Sequence, residues 1–570
     1  CVGNLGDRRY RDVDSATGLT RIMMFNPDDF SERYDFLVVG AGSAGAVIAS
    51  RLSEDPRRRV LLLEAGPDRP TDQAVIQAIL NPNQVAVAPG LNWKISTAIK
   101  GDAAIHVRQP ASRSNAVPLS SQAPNAVRSA SSIFDYEAGK VLGGSSAINA
   151  VQALRGTPAD FDEWAAECGE GWAWAQVLPY FCALEDDPIG PNSLHGLGGP
   201  MPIRRERKED LTPLQAGLME ACISHGFPET EDHNDPATTG VGVIPKNVVD
   251  GVRMSTALTY LAQSRQRLNL KIVTGAHIHR LIWMDASTCK GVEAEVADQM
   301  QHFFADNVVI CAGAMNTPGI LMRSGIGAPS ILEPLGISVR RSLKGVGENL
   351  MDHPVVGIWG VPKSGVCTFG EPLRQTLLRY SSSASGYEND MHICMMAGLD
   401  VGAMFPTRVS NSALATIAGV TTCFNKSTSR GVIRITSSDP HAKPQVSLNC
   451  LGEKSDIPPL MEGVRLAWQL LQYSGLRSQF ERILAWTEGM IHSDVALEHA
   501  IATFVRPGAH VCGSAKMGLS PDAGAVVDSQ GRVFGVDNLW VADASIMPMI
   551  PSAPPHLTTL MIAEKIAAEL

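Results

Sequence analysis

The sequence predicts an α/β fold with two sheet-based domains, and three observations carry this prediction. The chain has 570 residues, which is too long for one compact core. At 34–68 an apolar strand, a glycine-rich turn, a helical pattern and a second apolar strand follow one another. At 307–325 a further apolar strand runs into another glycine turn and a helical pattern.

The segment at 34–68 has the order of a dinucleotide-binding unit. Gly40, Gly42 and Gly45 occupy the GxGxxG positions between strand and helix. The first glycine permits a tight turn, the second lets the backbone approach a pyrophosphate, and the third allows close packing of helix on strand. Glu64 follows Gly45 by nineteen residues, where an acid binds the adenosine ribose. The segment predicts a Rossmann-like domain; its place at the start of a long chain favours FAD, although the spacing fits NAD as well.

The bulk composition narrows the possible partners. A net charge of −10 argues against nucleic acid, which needs a basic face. No apolar run is long enough to predict a membrane span. The eleven cysteines form no CxxC pair, which favours reduced thiols in a cytoplasmic protein, and no Cys or His spacing typical of a metal site occurs.

The first residues differ from the rest of the chain. Residues 1–30 lack the apolar stretch of a signal peptide. Met23 and Met24 stand just before the fold is expected to begin. We interpret 1–22 as an upstream extension and expect 1–30 to be poorly ordered.

Four later segments carry further motifs in a fixed order. They are GKVLGGSSAIN at 139–149, GAMNTPGILMRSGIG at 313–327, GVGENLMDHP at 345–354 and VVDSQGRVFGVDNLWVADASIMP at 526–548. These segments resemble the signatures of the glucose–methanol–choline (GMC) oxidoreductases, a family of FAD-dependent alcohol oxidases and dehydrogenases. The resemblance runs from about Tyr34 to Leu570. The C-terminal segment is especially similar to bacterial alcohol oxidases of the hydroxymethylfurfural-oxidase and choline-dehydrogenase kind.

The resemblance implies which residues hold FAD. The small residues of GGSS offer backbone N–H groups to a phosphate or a flavin ring, and Asn149 follows where its amide would reach the flavin edge. Asp543 is expected beside the flavin phosphates or ribityl chain. Without a ligand, a helix start capped by Ser145 or Ser146 and a surface acid at Asp543 are the alternatives. The residues expected to bind FAD are Gly40, Gly42, Ser43, Ala44, Gly45, Glu64, Ala65, Leu142, Gly143, Gly144, Ser145, Asn149, Ala150, Asp543, Ala544, His556, Leu557 and Thr558.

The resemblance also bears on how the flavin is attached. Some members of the family bind FAD covalently through a histidine four residues before the position of Lys140. This chain has Tyr136 there. We therefore expect non-covalent FAD.

Two histidines near the C-terminal end carry the expected chemistry. Alcohol oxidation removes a hydride from carbon, which FAD accepts at N5, and a proton from oxygen, which an imidazole can accept near neutral pH. The resemblance assigns His510, in HVCGSAKMG, as the base and His556, before the TLMIAEK helix, as its hydrogen-bonding partner. Because PPHL departs from the family's usual NTNAP, the register is open by about one residue, with Thr558 as the nearest other polar candidate.

Three further histidines are interpreted as structural. His353, in LMDHP, is typical of a turn or packing residue. His277 and His279 alternate along a strand-like run, from which we expect at most one to face a cofactor.

The motif positions divide the chain into domains. The FAD-binding domain is expected to comprise 31–185, 240–348 and 508–570, and the substrate-binding domain 186–239 and 349–507. Residues 70–134, rich in Pro, Ser, Ala and Asn, are expected to leave the first domain as a lid over the flavin.

The expected function is oxidation of a primary alcohol to the aldehyde, with O₂ or another acceptor reoxidising the flavin. The alternatives on the same fold are a hydroxynitrile-lyase-like reaction, a photodecarboxylase, which lacks a histidine at the position of His510, and a flavin-binding protein without turnover. An aromatic content of 6% gives no evident cage for a quaternary ammonium group. The expected substrate is therefore an uncharged aromatic or aliphatic primary alcohol.

Overall fold

The structure is a computed structural model, and it describes four stretches of the chain. They are 33–83, 90–100, 133–400 and 416–570, together with the backbone of two paired strands, Tyr10–Val13 and Thr20–Met23. The predicted extension at 1–30 lies outside the described residues apart from these two strands. Most of the predicted lid at 70–134 also lies outside them.

A seven-stranded sheet, here called the nucleotide sheet, contains the first strand of the dinucleotide unit. Its central strands are parallel and buried, and every residue of Val60–Glu64 is buried, as expected for strands covered on both faces. The long strand Gln299–Ile310 also joins an antiparallel hairpin. In spatial order the strands are Leu270–Thr274, Val60–Glu64, Tyr34–Val39, Gln299–Ile310, Cys289–Val296 and Ala276–Trp283, with Leu539–Val541 paired to Gln299–Ile310.

The carboxyl ends of the parallel strands meet at one edge of the nucleotide sheet. Gly40 follows the first strand, Glu64 ends the second, and Cys311 follows the third. Helix Ser43–Leu52 leaves this edge and packs against the C-terminal helix His556–Glu569. Ligands of open α/β sheets bind at the carboxyl edge, so the topology alone indicates where a dinucleotide would lie.

A second seven-stranded sheet, here called the substrate sheet, is antiparallel throughout. The helix Ile457–Gln472 packs on it. The sequence boundaries placed Gly240–Val243 in the FAD-binding domain, but this strand pairs with Thr376–Tyr380 here. A short GVGV run carries no signal for a partner so distant in the chain. In spatial order the strands are Phe480–Ile483, Pro354–Pro362, Thr416–Phe424, Met391–Asp400, Thr376–Tyr380 and Gly240–Val243, with Arg506–Pro507 on Pro354–Pro362.

The remaining elements connect and cover the two sheets. A four-stranded sheet contains Val432–Arg434, Gln445–Ser447, Ile95–Ala98 and Ile133–Tyr136. Two-stranded pairs are Glu185–Asp186 with Met201–Pro202, Val248–Val249 with Val252–Arg253, and Ile326–Gly327 with Arg341–Ser342. Within the four described stretches the other α-helices are Gln73–Leu80, Pro158–Cys168, Trp174–Leu184, Pro213–Ser224, Tyr260–Ser264, Gly313–Arg323, Pro329–Leu332, Ser474–Arg477, Glu488–His492 and Asp494–Phe504.

Cysteine pairing and helix length add two facts. The ten cysteines within the described stretches are all free, and all but Cys182 are buried. Among the described helices, none combines the length and the apolar character that crossing a bilayer requires.

Candidate active site

A cavity of about 800 Å³ extends from the carboxyl edge of the nucleotide sheet toward the substrate sheet. Cofactor and ligand sites typically measure roughly 300–1,000 Å³. The wall includes Gly40 and Glu64 at the sheet edge, His510, and Arg374, which stands two residues before a strand of the substrate sheet. The cavity therefore joins the predicted dinucleotide site to the predicted base.

The glycines of the turn allow the backbone to pack closely at the cavity wall. Gly40 has a φ of +92°, a region that favours glycine. A Cβ on Gly45 would lie 1.8 Å from the carbonyl oxygen of Gly40, so the helix can approach the strand only with glycine there. Helix Ser43–Leu52 begins after Gly42 with no side-chain cap on its N–H groups. These uncapped donors fit the pyrophosphate of a dinucleotide.

Glu64 holds the same turn from the neighbouring strand. Its two carboxylate oxygens accept the N–H groups of Ala41 and Gly66, each at 2.8 Å. Burial raises the pKa of this carboxyl, and the backbone donors oppose that rise. Each oxygen keeps a second lone pair, so the carboxylate can accept a ribose hydroxyl while it holds the turn.

The GGSS segment meets the turn backbone to backbone. Gly144 begins the short 3-10 helix Gly144–Ala147, and a Cβ on it would lie 2.7 Å from the Cα of Gly42. No side chain fits between these two stretches of main chain. Their bare backbone at the cavity wall fits a phosphate or a flat ring lying against it.

Most residues that the sequence predicts to bind FAD line this cavity. Five others belong to the packing behind the wall, and the side chains of Leu142 and Leu557 are part of the apolar core. The lining residues are Gly40, Gly42, Ser43, Ala44, Glu64, Ala65, Gly144, Ser145, Asn149, Ala150, Asp543, Ala544 and His556. Those behind the wall are Gly45, Leu142, Gly143, Leu557 and Thr558.

Asp543 ties two motifs together at the cavity. One carboxylate oxygen accepts the N–H of Gly313 at 2.8 Å and the hydroxyl of Thr317 at 2.7 Å. The other accepts the N–H of Ser545 at 2.7 Å. Burial raises the pKa of this carboxyl. Asp543 therefore fixes the N-terminal turn of helix Gly313–Arg323 and lines the cavity at once.

His510 lines the cavity and is hydrogen-bonded to another histidine. Its Nδ1 lies 2.9 Å from Nδ1 of His353, whose Nε2 lies 3.0 Å from the carbonyl oxygen of Pro551. A carbonyl only accepts, so Nε2 of His353 carries the proton and its Nδ1 accepts from His510. This hydrogen-bond network assigns the proton of neutral His510 to Nδ1. Its Nε2 is then the basic atom, at the end of the ring away from His353.

The surroundings of His510 keep it neutral. Burial, followed by the nearby His353, His392 and Arg374, lowers the pKa of His510 well below 6.5. Burial likewise lowers the pKa of His353 to about 4. The residue before the base, Ala509, has a φ of +64°, a strained conformation of the kind often found at functional sites. A neutral imidazole is the state that a general base requires.

The buried carboxylate of Asp352 holds the backbone of both histidines. Asp352 accepts the backbone N–H groups of His353 at 2.7 Å and His510 at 3.0 Å. Its second oxygen accepts the hydroxyl of Tyr136 at 2.9 Å. Burial raises the pKa of Asp352 to about 7. The hydroxyl of Tyr136 is therefore engaged with Asp352.

His556 lies on the dinucleotide side of the cavity. Its Nδ1 is 3.4 Å from the hydroxyl of Ser43 in the glycine turn, and its Nε2 is buried without a hydrogen-bond partner. Burial lowers its pKa to about 4. We expected His556 to be the hydrogen-bonding partner of His510, but the structure gives that hydrogen bond to His353. The orphaned Nε2 at the wall fits a polar group of the cofactor.

His277 and His279 face the same side of their strand, and His277 is the one that lines the cavity. Their rings are 5.5 Å apart, and both lie against His441. A strand has a period of two residues, so positions two apart share a face. Nitrogens of the three rings lie within 4.8 Å of one another, beside Glu295, a set that could close on a zinc-like ion. His441 is too distant in the chain for sequence spacing to reveal this cluster.

Sequence reasoning did not predict that His353 contacts His510 or that Arg374 lines the cavity. His353 was interpreted as a packing residue, yet its ring sets the tautomer of His510. The sequence signal for a functional role of His353 was Asp352, because this acid directly precedes the histidine in the motif GVGENLMDHP. Arg374 lies in a stretch that matched no motif, and only the fold brings it to the cavity.

A dinucleotide turn and a buried neutral imidazole on one cavity define an oxidoreductase that uses a dinucleotide cofactor. Comparison with known proteins is more specific, and the chain belongs to the GMC oxidoreductase family. The model of the family's N-terminal domain matches residues 34–355, and that of its C-terminal domain matches 427–563. The predicted family, fold class, enzyme class and FAD cofactor are thereby confirmed.

Individual relatives cover nearly the whole chain. The 5-(hydroxymethyl)furfural oxidase of Methylovorus sp. (strain MP688) is 33% identical over 94% of this chain and 98% of its own. An oxygen-dependent choline dehydrogenase of Chromohalobacter salexigens is 33% identical over 94% of each chain. Among solved structures, pyridoxine 4-oxidase from Mesorbium loti has a TM-score of 0.82 and 29% identity, covering 94% of this chain and 99% of its own.

Proposed function

We propose that this protein oxidises a primary alcohol to the aldehyde, with His510 as the general base. The hydrogen-bonded chain from Pro551 through His353 to His510 carries the proposal, because it leaves a basic nitrogen on a neutral imidazole at the cavity. The alcohol-oxidising relatives support the reaction class. When bound, FAD would supply the hydride acceptor.

The chain's own residues would perform the remaining steps. Nε2 of His510 takes the hydroxyl proton, and the resulting imidazolium keeps its Nδ1–H on His353. Asp352 holds both residues through their backbone N–H groups, so the ring stays oriented during the transfer. The turn at 40–45, Glu64 and the GGSS segment would hold the cofactor, and O₂ or another acceptor would reoxidise it.

Anaerobic mixing with a panel of alcohols tests this function. Bleaching of the flavin band near its visible maximum, with the aldehyde detected as product, is the expected result. Mixing the reduced protein with O₂ and then with a quinone dye would identify the acceptor. A bound flavin that no primary alcohol reduces, or that turns over a cyanohydrin without bleaching, would overturn the proposal.

We predict that the flavin is held without a covalent bond. Tyr136 occupies the linkage position, and its hydroxyl is committed to Asp352. Acid precipitation of the yellow protein should therefore release all of the flavin into the supernatant, where its mass equals that of FAD. Flavin that stays with the precipitated chain would contradict this prediction.

The acid limb of the pH profile should lie below pH 6.5. Burial lowers the pKa of His510, so the base stays neutral as the pH falls through 6.5 and is protonated only at lower pH. The measurement is the flavin-reduction rate after a pH jump from neutral buffer. The jump is needed because several buried imidazoles with lowered pKa also weaken folding as the pH falls from about 6.5 toward 4. A limb at or above 6.5 would argue against His510 as the base.

Replacing His353 with phenylalanine should slow flavin reduction without removing the flavin. The change leaves the Nδ1–H of His510 without its acceptor, which costs about 1–3 kcal/mol, or roughly 5- to 150-fold in rate. A His353→Gln variant, whose amide can still accept, should retain more activity. Rate, substrate affinity and melting temperature measured together separate this effect from misfolding. Equal rates in wild type and His353→Phe would remove His353 from this role.

A further inference from the structure

Arg374 is a cavity-lining arginine whose charge has no partner among the described residues. Its Nη2 lies 3.3 Å from the sulfur of Met396, and its Nε is buried with no hydrogen-bond partner. No described carboxylate lies within ion-pair distance of the guanidinium. Of the undescribed segments, 84–89 and 401–415 contain no acidic residue, whereas 101–132 contains Asp102 and 1–32 contains six acidic residues.

Arg374 is partly buried, and other shielded arginines of the described stretches differ from it in having oxygen acceptors, although Arg155 and Arg205 also keep a buried nitrogen without a hydrogen-bond partner. Arg155 pairs with Glu185 at 2.5 Å, and Arg205 pairs with Asp187 at 2.8 Å. Arg379 donates to two backbone carbonyls. A charge that is partly shielded from water and lacks a partner is costly, and the hydrogen bond that Arg374 makes goes to a thioether sulfur and not to an oxygen, so a ligand that brings an anionic acceptor would complete its surroundings.

The groups around Arg374 do not supply the missing negative charge. It acts electrostatically on His510, His392 and Cys394. These are imidazoles with lowered pKa and a thiol with raised pKa, and all are neutral near pH 7. The positive charge of Arg374 therefore lies near His510, and both residues line the cavity.

We propose that Arg374 binds a carboxylate of the substrate, so that the substrate is an alcohol that also carries a carboxylate. This inference rests on the proposed function and replaces the expectation of an uncharged alcohol. A guanidinium is planar and suits a carboxylate better than it suits a neutral group. In the reaction the C–H bond breaks with its electron pair going to the flavin, the O–H proton goes to His510, and a C=O bond forms. The carboxylate is unchanged and serves only to bind the substrate to Arg374.

The test compares two alcohols of nearly equal shape, 4-(hydroxymethyl)benzoate and 4-(hydroxymethyl)benzamide. Anaerobic stopped-flow reduction of the flavin gives the rate and the apparent affinity for each. The wild type should prefer the carboxylate by roughly 10- to 100-fold in the ratio of rate to dissociation constant, as one charged hydrogen-bonded contact provides. Arg374→Met should bring that preference close to one, and Arg374→Lys should keep part of it.

A matched control is Arg280→Met, which removes one positive charge from a half-exposed arginine paired with Glu293. It should keep the wild-type preference. Titration of the holoenzyme with benzoate and with benzamide, followed by the flavin absorbance, reports anion binding without turnover. Only benzoate should bind measurably, and Arg374→Met should lose that binding.

The outcomes distinguish a failure of the carboxylate inference from a failure of the proposed alcohol oxidation. If neither alcohol bleaches the flavin but benzoate still binds through Arg374, the proposed function fails and the anion site stands. If both alcohols bleach it equally well, the function stands and the carboxylate inference is overturned. An equal loss on both alcohols in Arg374→Met would also overturn it, since Arg374 would then serve the chemistry or the cofactor. Should Arg374→Met not fold, the wild-type preference and Arg374→Lys decide.

Discussion

Replacing His510 with alanine will slow anaerobic reduction of the flavin by a primary alcohol about 10²- to 10⁴-fold. The variant removes the basic Nε2 that the hydrogen-bonded chain through His353 prepares. It leaves the glycine turn and Glu64 unchanged, so the protein should stay yellow. Stopped-flow traces at saturating alcohol measure the loss directly.

The comparison variant is His556→Ala. His556 contacts Ser43 in the glycine turn, while the hydrogen bond of His510 goes to His353. We therefore expect His556→Ala to weaken flavin retention more than it lowers the rate per bound flavin. The reverse result, a rate loss as large as that of His510→Ala with full flavin content, would restore His556 as the partner in proton transfer. A His510→Ala protein with wild-type rate would refute the assignment of the base.

The dinucleotide site could be predicted from sequence because its requirements are local. Gly40, Gly42 and Gly45 stand within six positions, and each answers a constraint set by its immediate neighbours. The parallel strands that follow are read from their apolar runs. The same reasoning places Glu64 at the cavity, since the ends of adjacent parallel strands meet at one edge of the sheet.

The substrate side could not be predicted in the same way. His353 and His510 are 157 residues apart, and only the path of the substrate sheet brings them together. Arg374 carries no local pattern that distinguishes it from a surface arginine. The pairing of Gly240–Val243 likewise depends on a distant strand. The shared face of His277 and His279 could be predicted, because the two-residue period of a strand already puts both on one face.

Replacing Gly45 with alanine should abolish flavin binding. The new Cβ would lie 1.8 Å from the carbonyl oxygen of Gly40 and 3.2 Å from the Cβ of Cys311. The nearer obstacle is backbone, which cannot rotate away, so helix Ser43–Leu52 must move off its strand and carry its N-terminal donors from the cavity. Forcing volume into such packing costs about 1–3 kcal/mol or more. The purified variant should be colourless and should melt at a lower temperature.

Gly489→Ala is the control for this change. It lies in helix Glu488–His492, where the nearest atom to an added Cβ is 4.0 Å away. Alanine suits a helix better than glycine by about 1 kcal/mol, so this variant should keep its flavin and melt no lower than wild type. If Gly45→Ala also bound FAD fully and melted like wild type, the helix would tolerate displacement, and close packing at the turn would not be what positions the cofactor. Because every proposed step at His510 requires the flavin to be in place, colour is the first measurement to make on each variant.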